Sequence, residues 1–213
     1  MLCLKQPTDA AWAAEASRDV GALLVDHAHC EMKAASNALS LAARHPEDLT
    51  LVRALTDLAR EEIDHFQRVV DMLSARGVAL GPIAVDAYAA ELARAVRDLP
   101  RDPRCTPLAD RLLVGALIEA RSCERFKLLA EVAAGDPARA EEHALWGELL
   151  AAEARHYRTF VDLAAAALAG GARGDRACVV ERLERLAEIE GSIVLAIGKR
   201  SAAAGLSRAT MHG

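Results

Sequence analysis

Residues 51–72 read LVRALTDLAREEIDHFQRVVDM, and this stretch decides the fold class. Its apolar residues recur in alternating steps of four and three, the spacing that aligns side chains on one face of an α-helix. Glu62 and His65 fall in the middle of this apolar seam. The other members of the seam are Leu51, Leu55, Leu58, Val69 and Met72. The stretch therefore predicts a long core-facing helix that carries two ionisable side chains.

The same pattern returns later in the chain, with Glu153 and His156 at the centre of a second seam. Its apolar members are Trp146, Leu149, Phe160 and Leu163. A spacing of three residues places the Glu and His side chains one turn apart on the same helix face. Two ionisable groups in a helical core are costly unless they are paired or bind a metal. The repeated Glu-x-x-His pattern therefore indicates metal binding.

Helix-ending signals divide the chain into four long helices arranged as two hairpins. His45-Pro46 ends the first helix, because a residue before proline avoids the helical region, and Gly77 ends the second. Thr106-Pro107 and Asp136-Pro137 begin the third and fourth. The predicted long helices cover about 17–44, 47–76, 106–135 and 136–170. A crossover at 77–106 with one short helix joins the hairpins, and a last helix covers about 175–199.

These elements predict an all-α, ferritin-like four-helix bundle with an additional C-terminal helix. Short loops make the two helices of each hairpin antiparallel neighbours. We expect a single domain over residues 1–200 and a flexible tail over residues 201–213.

The first and third helices each supply one carboxylate in the middle of an apolar seam. These are Glu31, in the seam of Leu24 and Leu41, and Glu119, in the seam of Leu112 and Phe126. Glu124 is a rival to Glu119, but its helix face continues into charged residues. Glu61 likewise lies one position off the seam that Glu62 occupies.

The four carboxylates and two imidazoles lie at similar depths in their helices. Each carboxylate is about 13 to 16 residues from the loop of its hairpin, and each histidine follows its glutamate by three residues, so antiparallel packing brings the six side chains to one layer. Such a set suits two iron or manganese ions, with two bridging glutamates, two terminal glutamates and a histidine on each metal. The predicted metal ligands are Glu31, Glu62, His65, Glu119, Glu153 and His156. The alternative is a structural polar layer without metal.

Other polar residues carry weaker signals. His27, one turn before Glu31, is interpreted as a partner of that carboxylate, a pocket residue or a hydrogen-bonded core histidine. His29 and Asp64 lie off the seams, which indicates solvated side chains or partners of the ligands. We interpret Arg121, Arg125 and Lys127 as an ordinary solvated face, with contact to an anionic substrate as the alternative.

Composition limits the location and the partners. The chain has 213 residues, a net charge of −5 and five cysteines without a CxxC pair. No apolar run is long enough to span a membrane, and the N-terminus lacks a secretory signal, so we expect a cytoplasmic protein. The net negative charge of the chain does not by itself indicate nucleic-acid binding.

Four segments nevertheless resemble a known family. LLVDHAHCEMKAASNAL (23–39), LAREEIDHF (58–66), IEARSCERF (118–126) and EARHY (153–157) are similar to segments of the bacterial tRNA 2-methylthio-N6-isopentenyladenosine hydroxylases. The resemblance spans about residues 16–165 and includes all six predicted ligands in order.

The resemblance implies a non-haem di-iron monooxygenase that hydroxylates the isopentenyl side chain of a hypermodified adenosine next to the tRNA anticodon. It implies two iron ions held by the six residues, O₂ as co-substrate, and two electrons from an external donor protein or reductant. RNA contact would involve either clustered arginines of the third helix and the C-terminal segment, or the anticodon loop alone. We expect a monomer or small homo-oligomer. The alternative function is a ferritin-like iron-oxidising or iron-storage protein.

Overall fold

The computed structural model describes residues 2–9, 11–83, 87–168 and 176–203, without the side chains of 201–203. These ranges contain seven α-helices, one 3₁₀ turn at Pro137–Arg139 and no β-strand. The helices are α1 (Ala11–Ala16), α2 (Val20–Ala43), α3 (Leu49–Ala75), α4 (Ala87–Asp98), α5 (Pro107–Ala133), α6 (Ala140–Ala166) and α7 (Arg176–Ala203). The four predicted long helices correspond to α2, α3, α5 and α6.

Side-chain caps begin three of the long helices. Asp19 accepts a hydrogen bond from the Ala22 amide at 2.9 Å, and Asp48 accepts one from the Leu51 amide at 3.0 Å. The predicted cap Thr106 accepts a hydrogen bond from the Ala109 amide at 3.0 Å. Each cap satisfies an amide that has no partner within its own helix.

The predicted start of the fourth helix at Asp136-Pro137 is only partly right. Asp136 caps the 3₁₀ turn, and α6 begins three residues after that proline, at Ala140. The helix ends follow the glycine signals, since Gly77 and Gly135 have φ angles of +65° and +79°. Glycine adopts this left-handed conformation without steric cost.

The chain divides into two compact units. One contains α2 and α3 within residues 16–85, and we call it the α2–α3 unit. The other contains residues 2–15 and helices α4 to α7, and we call it the α4–α7 unit. In the first, α2 packs along α3; in the second, α5 packs along α6 and α4 contacts α5 and α7. The expectation of one domain over residues 1–200 stays a prediction.

Close apolar packing holds α5 against α6. The rings of Phe126 and Trp146 stack with centroids 5.6 Å apart. Gly115 lets the ring of Phe160 approach, because a Cβ atom built at Gly115 would lie 2.9 Å from that ring. Interiors packed this tightly hold the intervening polar side chains in one geometry.

Helix α7 continues to Ala203, beyond the predicted end near Lys199. Residues 204–213 of the predicted tail lie outside the described residues. Within the described ranges, no helix is both long and apolar enough to cross a membrane.

Candidate metal centre

The α2–α3 unit brings together three of the predicted ligands. Glu31, Glu62 and His65 each place one ligand atom within 4.8 Å of the others. Nδ1 of His65 lies 3.5 Å from a carboxylate oxygen of Glu62 and 3.7 Å from one of Glu31. Both glutamates are buried, whereas His65 keeps 18% of its side chain exposed.

The α4–α7 unit brings together the other three. Glu119, Glu153 and His156 are all buried and place their ligand atoms within the same 4.8 Å limit. Nδ1 of His156 lies 3.0 Å from Oε2 of Glu153. Each unit therefore holds two carboxylates and one imidazole. These are the residues that the apolar seams of its two long helices predict.

The two carboxylates change the acid–base behaviour of His65. Burial alone would lower its pKa, but the adjacent, negatively charged carboxylates of Glu31 and Glu62 outweigh this effect. The pKa of His65 is raised from 6.5 to about 10. Without a metal, a proton on His65 therefore balances the buried carboxylate charge. A metal cation placed there would replace that proton.

The donor atoms fit a pair of first-row metal ions. Carboxylate oxygens and imidazole nitrogens are ligands that iron and manganese accept, and no thiolate belongs to either group. Buried carboxylates are expensive without a compensating cation. Whether all six residues bind metal stays a prediction at this point.

His27 lies against one of the carboxylates. Its Nε2 atom is 2.8 Å from Oε1 of Glu31, and both side chains are buried. Of the three interpretations, this contact favours a partner of Glu31.

Asp64 is exposed as expected, but the interpretation of His29 as solvated is wrong, since it is only 3% exposed.

The prediction of a solvated face on the third helix is wrong for Arg121 and Arg125. Arg121 is fully buried, and its Nε and Nη2 atoms each donate to the buried carboxylate of Glu190 at 2.9 Å. Arg125 is buried over the ring of Trp12, with its guanidinium carbon 4.9 Å from the ring centroid. Only Lys127 is exposed as predicted, so these arginines are not available to RNA.

The sequence patterns did not identify Glu190 as the partner of Arg121. Glu190 interrupts an otherwise apolar seam of α7 that includes Leu183 and Leu186, and this position is the signal that could have found it. Burial raises the pKa of Glu190, and the charge of Arg121 opposes that shift.

Glu124, the alternative to Glu119 on this helix, is hydrogen-bonded to other residues. It accepts hydrogen bonds from the Thr8 hydroxyl at 2.6 Å and from the Arg121 guanidinium. Its contacts connect the N-terminal segment to α5, which favours Glu119 as the ligand of this helix.

Comparison with known proteins identifies the family. The model of the family described as tRNA-(MS[2]IO[6]A)-hydroxylase (MiaE) matches residues 1–201. The chain belongs to the MiaE family. Two MiaE relatives are named tRNA 2-(methylsulfanyl)-N(6)-isopentenyladenosine(37) hydroxylase. The one from Pseudomonas putida is 43% identical, and the one from Salmonella typhimurium is 30% identical. Each alignment covers 74% of this chain and 73% of the relative.

A solved structure confirms the fold class of this MiaE chain. It is titled "Protein 43 with aldehyde deformylating oxygenase activity from Synechococcus" and is 39% identical, with a TM-score of 0.76. The match covers 91% of this chain and 90% of that one. The predicted all-α, ferritin-like fold and the predicted family are both confirmed.

Proposed function

We propose that this protein is a non-haem di-iron hydroxylase that acts on tRNA. Its substrate is the isopentenyl side chain of the hypermodified adenosine next to the anticodon, and O₂ is the co-substrate. One observation carries the proposal: a chain matched by the MiaE model over residues 1–201 holds a Glu–Glu–His group in each of its two units, with all four carboxylates buried. The names of both curated relatives support the same substrate class.

We propose that Glu31, Glu62, His65, Glu119, Glu153 and His156 hold two iron ions. When bound, the iron pair would supply O₂ activation: with two electrons from an external donor and two protons from solvent, one oxygen atom would enter a C–H bond and the other would leave as water. The similar depth of the four glutamates along their helices supports a shared centre.

The surrounding side chains keep the site dry. Leu58 and Val69 continue the apolar seam of α3, and Leu149 and Phe160 flank the ligands of α6; all four are buried. Excluding water protects a reactive oxidant and suits an alkyl group as substrate. The ligand carboxylates also position the metals, so no further acid, base or nucleophile is required.

The remaining partners follow from the chemistry. An electron-donor protein or small reductant supplies the two electrons, and the tRNA is bound through its anticodon loop. We place the protein in the cytoplasm, where tRNA is modified, as a monomer or small homo-oligomer.

Metal content tests the proposal. Protein purified from iron-replete cells is compared with a Glu62→Ala/Glu153→Ala variant. The matched control, Glu61→Ala/Glu148→Ala, removes a neighbouring carboxylate from each of the same two helices. We expect about two irons per chain in the wild type and the control, and none in the first variant.

The loaded protein should then add one oxygen atom to isopentenylated tRNA in an O₂-dependent reaction, as detected by mass spectrometry of the digested nucleosides.

Two results would contradict the proposal. Absence of iron after anaerobic reconstitution with ferrous ion would leave the six residues as a structural polar layer. Iron binding without hydroxylation of tRNA would favour the iron-storage alternative, which the family comparison does not favour. A storage shell would also elute as a very large particle in size-exclusion chromatography.

A further inference from the structure

The end of α4 and the chain that follows it carry a group of exposed arginines. Arg94 and Arg97 lie on α4, Arg101 lies in the connection after it, and Arg111 lies in the first turns of α5. None of the four forms an ion pair with any residue in the described part of the chain. We call these four residues the crossover surface.

Most carboxylates of the same stretch form ion pairs. Asp102 pairs with Arg104 at 2.9 Å, and Asp110 pairs with Arg182 at 2.8 Å. Between residues 94 and 111, this leaves Asp98 as the one carboxylate without an ion pair among the described residues. The stretch from residue 94 to residue 111 therefore carries an excess of positive charge outside ion pairs, although the whole chain has a net charge of −5.

Helix α4 presents two of these arginines away from its packed face. Tyr88, Leu92 and Val96 are buried and occupy one face of α4. Arg94 and Arg97 are exposed and lie one turn apart on the other face. Along α5, Arg111 precedes the ligand Glu119 by eight residues, a rise of about 12 Å.

We propose that the crossover surface binds backbone phosphates of the tRNA anticodon arm. This inference rests on the proposed function, because it names where that substrate is held. Guanidinium groups bind phosphate oxygens in a bidentate manner, and phosphate contacts position a nucleic acid without reading its sequence. Arginines without carboxylate partners keep all their donors available for this purpose. A local surface of this kind explains how an acidic chain binds RNA.

Charge removal at this surface tests the proposal. The variant Arg94→Gln/Arg97→Gln/Arg101→Gln is compared with Lys5→Gln/Arg53→Gln/Lys199→Gln. The control residues are also exposed and form no ion pair with a described residue, so both triple variants change the net charge equally. Iron-loaded proteins are assayed for Kd of isopentenylated tRNA across a salt series, for KM and kcat with tRNA, and for turnover of the free isopentenyladenosine nucleoside.

We expect the crossover variant to bind tRNA at least about tenfold more weakly at moderate salt, with KM raised and kcat little changed. The slope of log K against log salt should become shallower by about 2, since each lost phosphate contact removes a share of counterion release. Nucleoside turnover and iron content should equal those of the wild type, and the control variant should keep the wild-type slope.

An unchanged slope and KM in the crossover variant would overturn the inference while leaving the proposed function intact. An unchanged KM for tRNA with a raised KM for the electron donor would also overturn it and would make the surface a docking site for an acidic donor. Failure of wild-type protein to hydroxylate tRNA would instead refute the proposed function.

Discussion

At the residue scale, the pair of Arg121 and Glu190 is a buried polar interaction that is costly to break from one side. Both side chains are fully buried, and Glu190 also accepts a hydrogen bond from the Tyr88 hydroxyl at 3.0 Å. Substituting Arg121→Met leaves a buried carboxylate without its cation. We expect a loss of about 3 to 5 kcal/mol in the free energy of unfolding, measured by urea denaturation.

The double variant Arg121→Met/Glu190→Leu provides the control for that prediction. It removes both charges, so it should recover much of the stability that the single variant loses. Equal destabilisation by the single and double variants would show that the charge pair is not the cause.

A second prediction concerns the glycine between α5 and α6. In Gly115→Ala, the new Cβ atom would lie 2.9 Å from the Phe160 ring, so either the ring or one of the two helices must shift. We expect a loss of about 1 to 3 kcal/mol in the free energy of unfolding. The matched control is Gly147→Ala in α6, whose Cβ would meet nothing within 4 Å. In that control, the free energy of unfolding should rise by about 0.5 to 1 kcal/mol, since alanine favours the helix. A stabilising Gly115→Ala would contradict the close packing.

At the element scale, two cysteines lie where the crossover meets α7. The sulfur atoms of Cys105 and Cys178 are 4.0 Å apart. We expect hydrogen peroxide to oxidise the two thiols to one disulfide while it is reduced to two molecules of water. Burial and the neighbouring Cys178 raise the pKa of Cys105 to about 12, so oxidation should accelerate as pH rises and more thiolate forms.

Peptide mapping under non-reducing conditions detects this bond, and differential scanning calorimetry should show a higher Tm in the oxidised protein. The variant Cys105→Ser should show neither change. Mixed disulfides that do not join these two residues would contradict the prediction.

At the scale of the whole molecule, metal binding should control stability. Each unit buries two carboxylates beside one imidazole, and a cation bound there would compensate their charge. A ligand that binds only the folded chain stabilises it by mass action, by about 2.7 kcal/mol at one hundred times its Kd. Ferrous ion added anaerobically should therefore raise the Tm of the wild type but not that of Glu62→Ala/Glu153→Ala. Equal shifts in both proteins would indicate binding elsewhere.

The helix pattern of this protein was largely determined by its sequence. Apolar spacing predicted all four long helices, and local signals placed their ends, because caps, prolines and glycines act within one turn. Gly77 and Thr106 have the predicted roles. The same spacing selected two groups, one in each unit, since a period of three or four residues aligns side chains on one face of a helix. That all six residues bind metal stays a prediction.

Only the tertiary structure decided which charged residues are buried by distant partners. Arg121 is hydrogen-bonded to Glu190, which lies 69 residues away, and Arg125 lies over the ring of Trp12. The apolar seam of α7 marks Glu190 as a buried carboxylate, but no local pattern identifies its partner, because the two residues lie on elements far apart in the sequence. For the same reason the sequence left Arg121 and Arg125 open to RNA, whereas the fold buries both and leaves the arginines of the crossover surface exposed. Helix periodicity is a property of neighbouring residues, but burial of a charge depends on what packs against it.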